Sequence, residues 1–173
     1  MDILENRDQW EATFRAGWLA EYQAAGSFNW KIYNRAKNTL APDGPAVDLS
    51  ASRLLLISSA GGYLPASQEP FDAENALGDY RIRAFPGSTP LNTIAYAHDH
   101  YDHAAVDADP QVLMPLRHLE DLVAEGVIGE LAPNVISFMG YQPDLTRVLD
   151  ELIPAILDAA RAEGARAALL VPS

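Results

Sequence analysis

The sequence predicts an α/β domain, a mostly parallel sheet with flanking helices, preceded by an aromatic helix and an arm. Three observations carry this. From residue 53 onward short apolar runs recur, each bounded by Gly, Pro, Asp or Ser. Two of the stretches between them space apolar residues as a helix does. The runs are continuously apolar rather than alternating, which suits strands covered on both faces.

The first element is a helix. Trp10, Phe14, Trp18 and Tyr22 stand four apart within residues 5–24, which puts them on one stripe that has to pack against something. The stripe reads as core or interface, and self-association through this helix is expected. Gly26 ends it, and residues 27–50 read as a long connection broken by Pro42, Gly44 and Pro45. Residues 1–50 therefore form the helix and arm, and residues 51–173 the α/β domain, as parts of one unit. Strands are expected at 54–57, 80–85, 93–97, 135–139 and 167–171. One helix follows Leu116, Leu119, Leu122 and Val123 to Gly126; the other follows Leu145, Val148, Leu149, Leu152, Ile156 and Leu157 to Gly164. Pro143 suits the first turn of the latter helix, and Pro154 should kink it.

Composition narrows the function. A chain of 173 residues supports one core. Its net charge of −12 argues against nucleic acid and anionic membranes as partners, since phosphate binding relies on clustered Lys and Arg. No apolar run approaches the roughly 20 residues of a membrane helix, and the first residues lack a basic stretch leading into an apolar one, so a cytoplasmic location is expected. The absence of cysteine removes disulfides, thiolate metal sites and thiol nucleophiles from these residues. No phosphate-binding glycine pattern surrounds Gly61 and Gly62, and no nucleotide cofactor is expected.

Ligands of open α/β sheets bind beyond the carboxyl ends of the strands. There this sequence places Ser58-Ser59-Ala60-Gly61-Gly62-Tyr63, His98-Asp99-His100-Tyr101-Asp102-His103 and Gly140-Tyr141-Gln142. Parallel strands would gather these segments on one edge. Ser59, Gly61, Gly140 and Tyr141 are the expected substrate contacts, with Glu69 reaching in from a Gln-Glu-Pro-Phe-Asp turn.

Three of the four histidines fall within six residues, interleaved with Asp99 and Asp102. His98 and His100 project to one side of an extended segment, and with Asp102 and His103 they offer nitrogen and oxygen ligands for Zn, Fe, Mn or Ni. The other reading is an acidic, solvated loop whose histidines carry protons without a metal. Both stand. The hexapeptide also fits H-x-H-x-D-H, the first metal motif of metallo-β-lactamases. His118 is the only later histidine, however, and it falls inside a helical pattern.

A wider series of landmarks runs in order through residues 53–172. These are Ile57-Ser58-Ser59-Ala60-Gly61, Ser67-Gln68-Glu69-Pro70-Phe71-Asp72, Gly78-Asp79-Tyr80, the histidine hexapeptide, Met114-Pro115, Glu125-Gly126-Val127-Ile128-Gly129, Leu131-Ala132-Pro133 and Ser137-Phe138-Met139-Gly140. In this series the chain resembles the selenoprotein B component of glycine, sarcosine, betaine and D-proline reductases. The resemblance implies a substrate-binding subunit whose selenocysteine or cysteine loop follows the strand equivalent to 167–171. Here the sequence stops at Pro172-Ser173, so the family's thiol or selenol chemistry is not carried over.

The expected function is thus an enzyme acting on a small amino-acid-like or carbonyl substrate, with His98, Tyr101, Asp102 and His103 catalytic and a metal held by His98, His100, Asp102 and His103. The alternative is a non-catalytic or partner-dependent subunit whose redox cysteine comes from another chain. Expected partners are the small-molecule substrate and either a second copy or that redox chain.

Overall fold

The computed structural model describes residues 4–40, 44–97 and 101–173. It contains two units, Met1–Pro45 with Asp144–Thr146, and Ala46–Pro143 with Arg147–Ser173.

In the first unit, helix α1 spans residues 7–25, with α-helical Arg7–Phe14 and Ala20–Ala25 joined by a π-helical stretch, Arg15–Leu19. Gly26 ends it in the left-handed conformation, φ 66°. The segment expected as an arm folds back instead. Trp18 stacks on Phe28 with centroids 5.5 Å apart, Tyr33 meets Trp18 edge-on at 5.0 Å, and Trp10 Nε1 donates to the Asn34 carbonyl at 3.0 Å. Glu5 accepts from the Thr39 hydroxyl at 2.7 Å. The aromatic stripe is therefore covered by the residues that follow it. The physical reason is that Phe28, Trp30 and Tyr33 supply apolar surface which the connection's Pro and Gly residues had obscured.

The second unit holds the sheet. Strand β1 (Arg53–Ser58) is central. It pairs in parallel with β7 (Ala167–Val171) on one side and with β5 (Glu130–Leu131) and β6 (Asn134–Phe138) on the other. Strand β3 (Ile82–Pro86) joins β6 antiparallel, so the sheet is mixed but mostly parallel. The expected strand 93–97 is corrected. Only Ala95–Tyr96 (β4) is extended, and it pairs antiparallel with Gly62–Tyr63 (β2) outside the main sheet.

Side chains alternate across β1. Leu54 and Leu56 face a core with Phe85, Val106, Met114, Leu116 and Leu119, built on helices α2 (Ala104–Ala108) and α3 (Leu116–Ala124). Leu55 and Ile57 face Ile136, Ile156 and Ala160 on the other side. The last two belong to helix α4, residues 145–162. Pro143 precedes this helix rather than opening it, and Asp144 caps it by accepting from the Thr146 amide at 3.0 Å. Pro154 acts on the turn before it. It has no N–H for the carbonyl of Asp150, and Val148–Leu152 widens into a π-helix.

Candidate functional site

The carboxyl end of β1 runs directly into the candidate site. Ser58 is fully buried, and its hydroxyl accepts from the Ala60 amide at 3.3 Å, which starts the turn. Gly61 completes it at φ 68°, donates to the Phe138 carbonyl at 2.8 Å and accepts from the Ala97 amide at 3.0 Å. The Gly62 amide donates to the buried Ser137 hydroxyl at 2.8 Å. A side chain at Gly62 would press on Met114. The turn after β1 is thus tied to the end of β6 and to the residue that leads into His98.

Ser59 links the turn to the end of β7. Its amide donates to the Val171 carbonyl at 3.0 Å, and its hydroxyl accepts from the Ser173 amide at 2.8 Å. Together Ser59, Gly140, Tyr141, Phe138 and Ser173 line a cleft of about 440 Å³ at the carboxyl edge of the sheet. Four of the five expected substrate residues, Ser59, Gly61, Gly140 and Tyr141, accordingly lie on or beside one edge. Glu69 does not join them. Its side chain is 87% exposed and lines a different cleft with Phe71, Asp72 and Ala97, 3.8 Å from Arg81.

The direction of β3 explains a feature absent from the sequence reading. Because β3 runs against β6, the residues before it reach the edge where β6 ends. Gln142 Nε2 donates to the Asp79 carbonyl at 3.2 Å, and a Cβ on Gly78 would lie 2.2 Å from the Tyr141 carbonyl oxygen. Gly78, at φ 81°, lets the two loops touch.

Of the histidine hexapeptide, His98, Asp99 and His100 lie outside the described residues, so the four-ligand metal set is described only at Asp102 and His103. The Tyr101 hydroxyl donates to the Ala60 carbonyl at 3.2 Å, and its ring stacks on His103 at 4.5 Å. This brings the end of the hexapeptide against the glycine turn. The Asp102 carboxylate accepts from the Ala104 amide at 2.9 Å, at the start of α2. Among the described residues, no group of three His, Asp or Glu side chains is placed to hold a metal.

One residue was missed by the sequence reading. Tyr96 packs against the core beside Tyr101, and its buried hydroxyl has no hydrogen-bond partner among the described residues. Burial, assisted by Tyr101 and Asp107, pushes its ionisation well up, so the phenol keeps its proton and is a donor. Its place inside an apolar run concealed it.

Residues 24–150 match the family model of glycine/sarcosine/betaine reductase selenoprotein B. The chain belongs to this family. It is 31% identical over 123 residues to the D-proline reductase subunit gamma of Acetoanaerobium sticklandii, covering 71% of this chain and 49% of that one. It is 33% identical over 102 residues to the sarcosine reductase complex component B subunit beta of Peptoclostridium acidaminophilum, covering 57% of this chain and 23% of that one. The matches thus span about half of one relative and about a quarter of the other. No solved structure matches the chain. No helix among the described residues is long and apolar enough to cross a membrane.

Proposed function

We infer that this chain is a cytoplasmic, substrate-binding component of an amino-acid reductase, holding a small amino-acid-like molecule at the carboxyl edge of its sheet. The observation that carries the reading is the convergence of Ser59, Gly140, Tyr141 and the end of β7 on one cleft in a member of this family. The cleft supplies hydroxyls and backbone groups at its rim and the rings of Phe138 and Tyr141 for the carbon skeleton. These residues contain no cysteine, so the sulfur or selenium that takes part in reduction lies outside them. His103, stacked on Tyr101 against the glycine turn, is a proton carrier at that edge.

The test is direct binding of glycine, sarcosine, betaine and D-proline, followed by calorimetry and by the shift in melting temperature. At about one hundred times Kd a ligand stabilises the folded state by roughly 2.7 kcal/mol. At least one should bind, and Tyr141→Ala should weaken it about tenfold. No binding of any of them by well-folded protein overturns the reading.

A second reading starts from the contact of Tyr101 with Ala60, which holds Tyr101, in the second half of the hexapeptide, at the turn. In it His98, His100, Asp102 and His103 hold one Zn, Fe, Mn or Ni ion that polarises a carbonyl or activates water. Untagged protein should then retain about one metal per chain, and His98→Ala with His100→Ala should lose it. Protein that is fully active without metal excludes that version, and loss of activity on mutation without any bound metal leaves His98 and His103 as the proton carriers.

A further inference from the structure

The loop that carries Tyr141 along one wall of the cleft is held by a contact made outside the cleft. Gln142 Nε2 donates to the Asp79 carbonyl at 3.2 Å, while Gln142 itself is not among the residues lining the cleft. Its side chain is half-buried. Asp79, by contrast, is firmly anchored. It is buried, and its carboxylate accepts from the Asp72 amide at 3.0 Å, from the Arg81 amide at 2.9 Å and from Arg81 Nε at 2.9 Å. Gln142 thus ties the residue beside Tyr141 to a fixed point ahead of strand β3.

On the reading of the cleft as the ligand site, we propose that Gln142 is a positioning residue: its grip on the Asp79 carbonyl fixes the backbone under Tyr141 and so sets ligand affinity, with little effect on the stability of the fold. The two separate for a physical reason. A neutral hydrogen bond from a half-buried side chain nets little in folding, because water replaces it when it is lost. A ring that has to be ordered as the ligand arrives, however, subtracts that ordering entropy from the binding free energy. Gln142 orders it beforehand. Gly78 lacks this separation, since a side chain there would meet the Tyr141 carbonyl itself.

The test uses the full chain with Gln142→Met, which keeps the length and removes the donor, and Gln142→Glu, which sets a carboxylate against the Asp79 carbonyl. Glycine, sarcosine, betaine and D-proline are the probes in calorimetry. Whichever of them the wild type binds should bind about tenfold more weakly to both variants. Melting temperatures should stay within about 5 °C of the wild type. Amide hydrogen exchange at residues 140–142 of the free protein should quicken in both. Undiminished affinity in Gln142→Met overturns the proposal, and so does a loss of affinity accompanied by a fall in melting temperature beyond that range, which would make the role structural only. Unchanged exchange at 140–142 overturns it whether or not any ligand binds. The clasp is therefore judged even if the wild type binds none of the four and the cleft reading fails.

Discussion

A carboxylate removed from water is destabilised unless donors replace its hydration, and Asp79 has such donors. Burial alone would raise its pKa. Hydrogen bonds from the Arg81 side chain and from the Asp72 and Arg81 amides, with the Arg81 charge, outweigh burial and hold it at about 2, below the usual 3.8. The folded state thus binds the Asp79 proton more weakly than the unfolded chain does. Its contribution, about 2 kcal/mol, is complete above pH 4 and is lost as pH falls toward 2. Asp79→Ala should lower stability at pH 7 by about that amount and flatten the acid limb of a denaturation-against-pH curve; an unchanged limb would assign acid sensitivity elsewhere. Tyr96 is the opposite case, a buried hydroxyl with no partner among the described residues. Tyr96→Phe should leave thermal stability equal or raise it by about 1 kcal/mol, measured by melting, because no hydrogen bond is broken and a desolvated group is removed. A clear loss of stability would show that the hydroxyl is satisfied in solution.

At the scale of elements, the apolar runs announced β1, β6 and β7 to within a residue or two; β1 and β6 are apolar because they are buried, whereas β7, equally apolar, leaves Leu169 and Leu170 exposed. They did not announce direction. An apolar run looks the same whichever way its strand is crossed, and β3 proved antiparallel. That reversal brings Gly78 and Asp79 to the loop carrying Tyr141, a contact unreadable from residues some sixty positions apart. The run 93–97 misled for a related reason. It is bordered by a short 3-10 turn, Leu91–Thr93, and only two of its residues find a partner strand. The arm misled because its aromatics follow no helical period, yet they cover Trp18. Gly78→Ala should be severe, since a Cβ would lie 2.2 Å from the Tyr141 carbonyl and the backbone is at φ 81°. A loss of about 2 kcal/mol or more is expected, together with weaker ligand binding, because the loop that shifts is the one lining the cleft. Loss of stability with intact binding would mean the strain relaxes on the Gly78 side instead.

For the whole molecule the sheet is unequal across its width, and this asymmetry is measurable. Strand β1 has neighbours on both sides and is buried on both faces; Leu55 is fully enclosed. Strand β7 pairs only with β1 among the described residues, and Leu170 is 59% exposed. A strand held on one side, with apolar side chains in water, contributes less to cooperative stability than one held on both. Amide hydrogen exchange should therefore divide the sheet. Amides of β1 and β6 should exchange only through global unfolding, with the denaturant dependence of the whole unit, while those of β7 should exchange through a cheaper opening that leaves β1 intact. Leu55→Ala should lower global stability by about 2 to 5 kcal/mol and speed exchange in β1 and β7 together, whereas Leu170→Ala should leave β1 almost unaffected. The cleft gives this functional weight, because Ser59 is bonded to Val171 and Ser173 at the end of β7. An opening of β7 would open the wall of the cleft, and a bound amino acid should slow β7 exchange toward the β1 rate. Equal protection of β7 and β1 in the free protein would show that the edge is covered in solution.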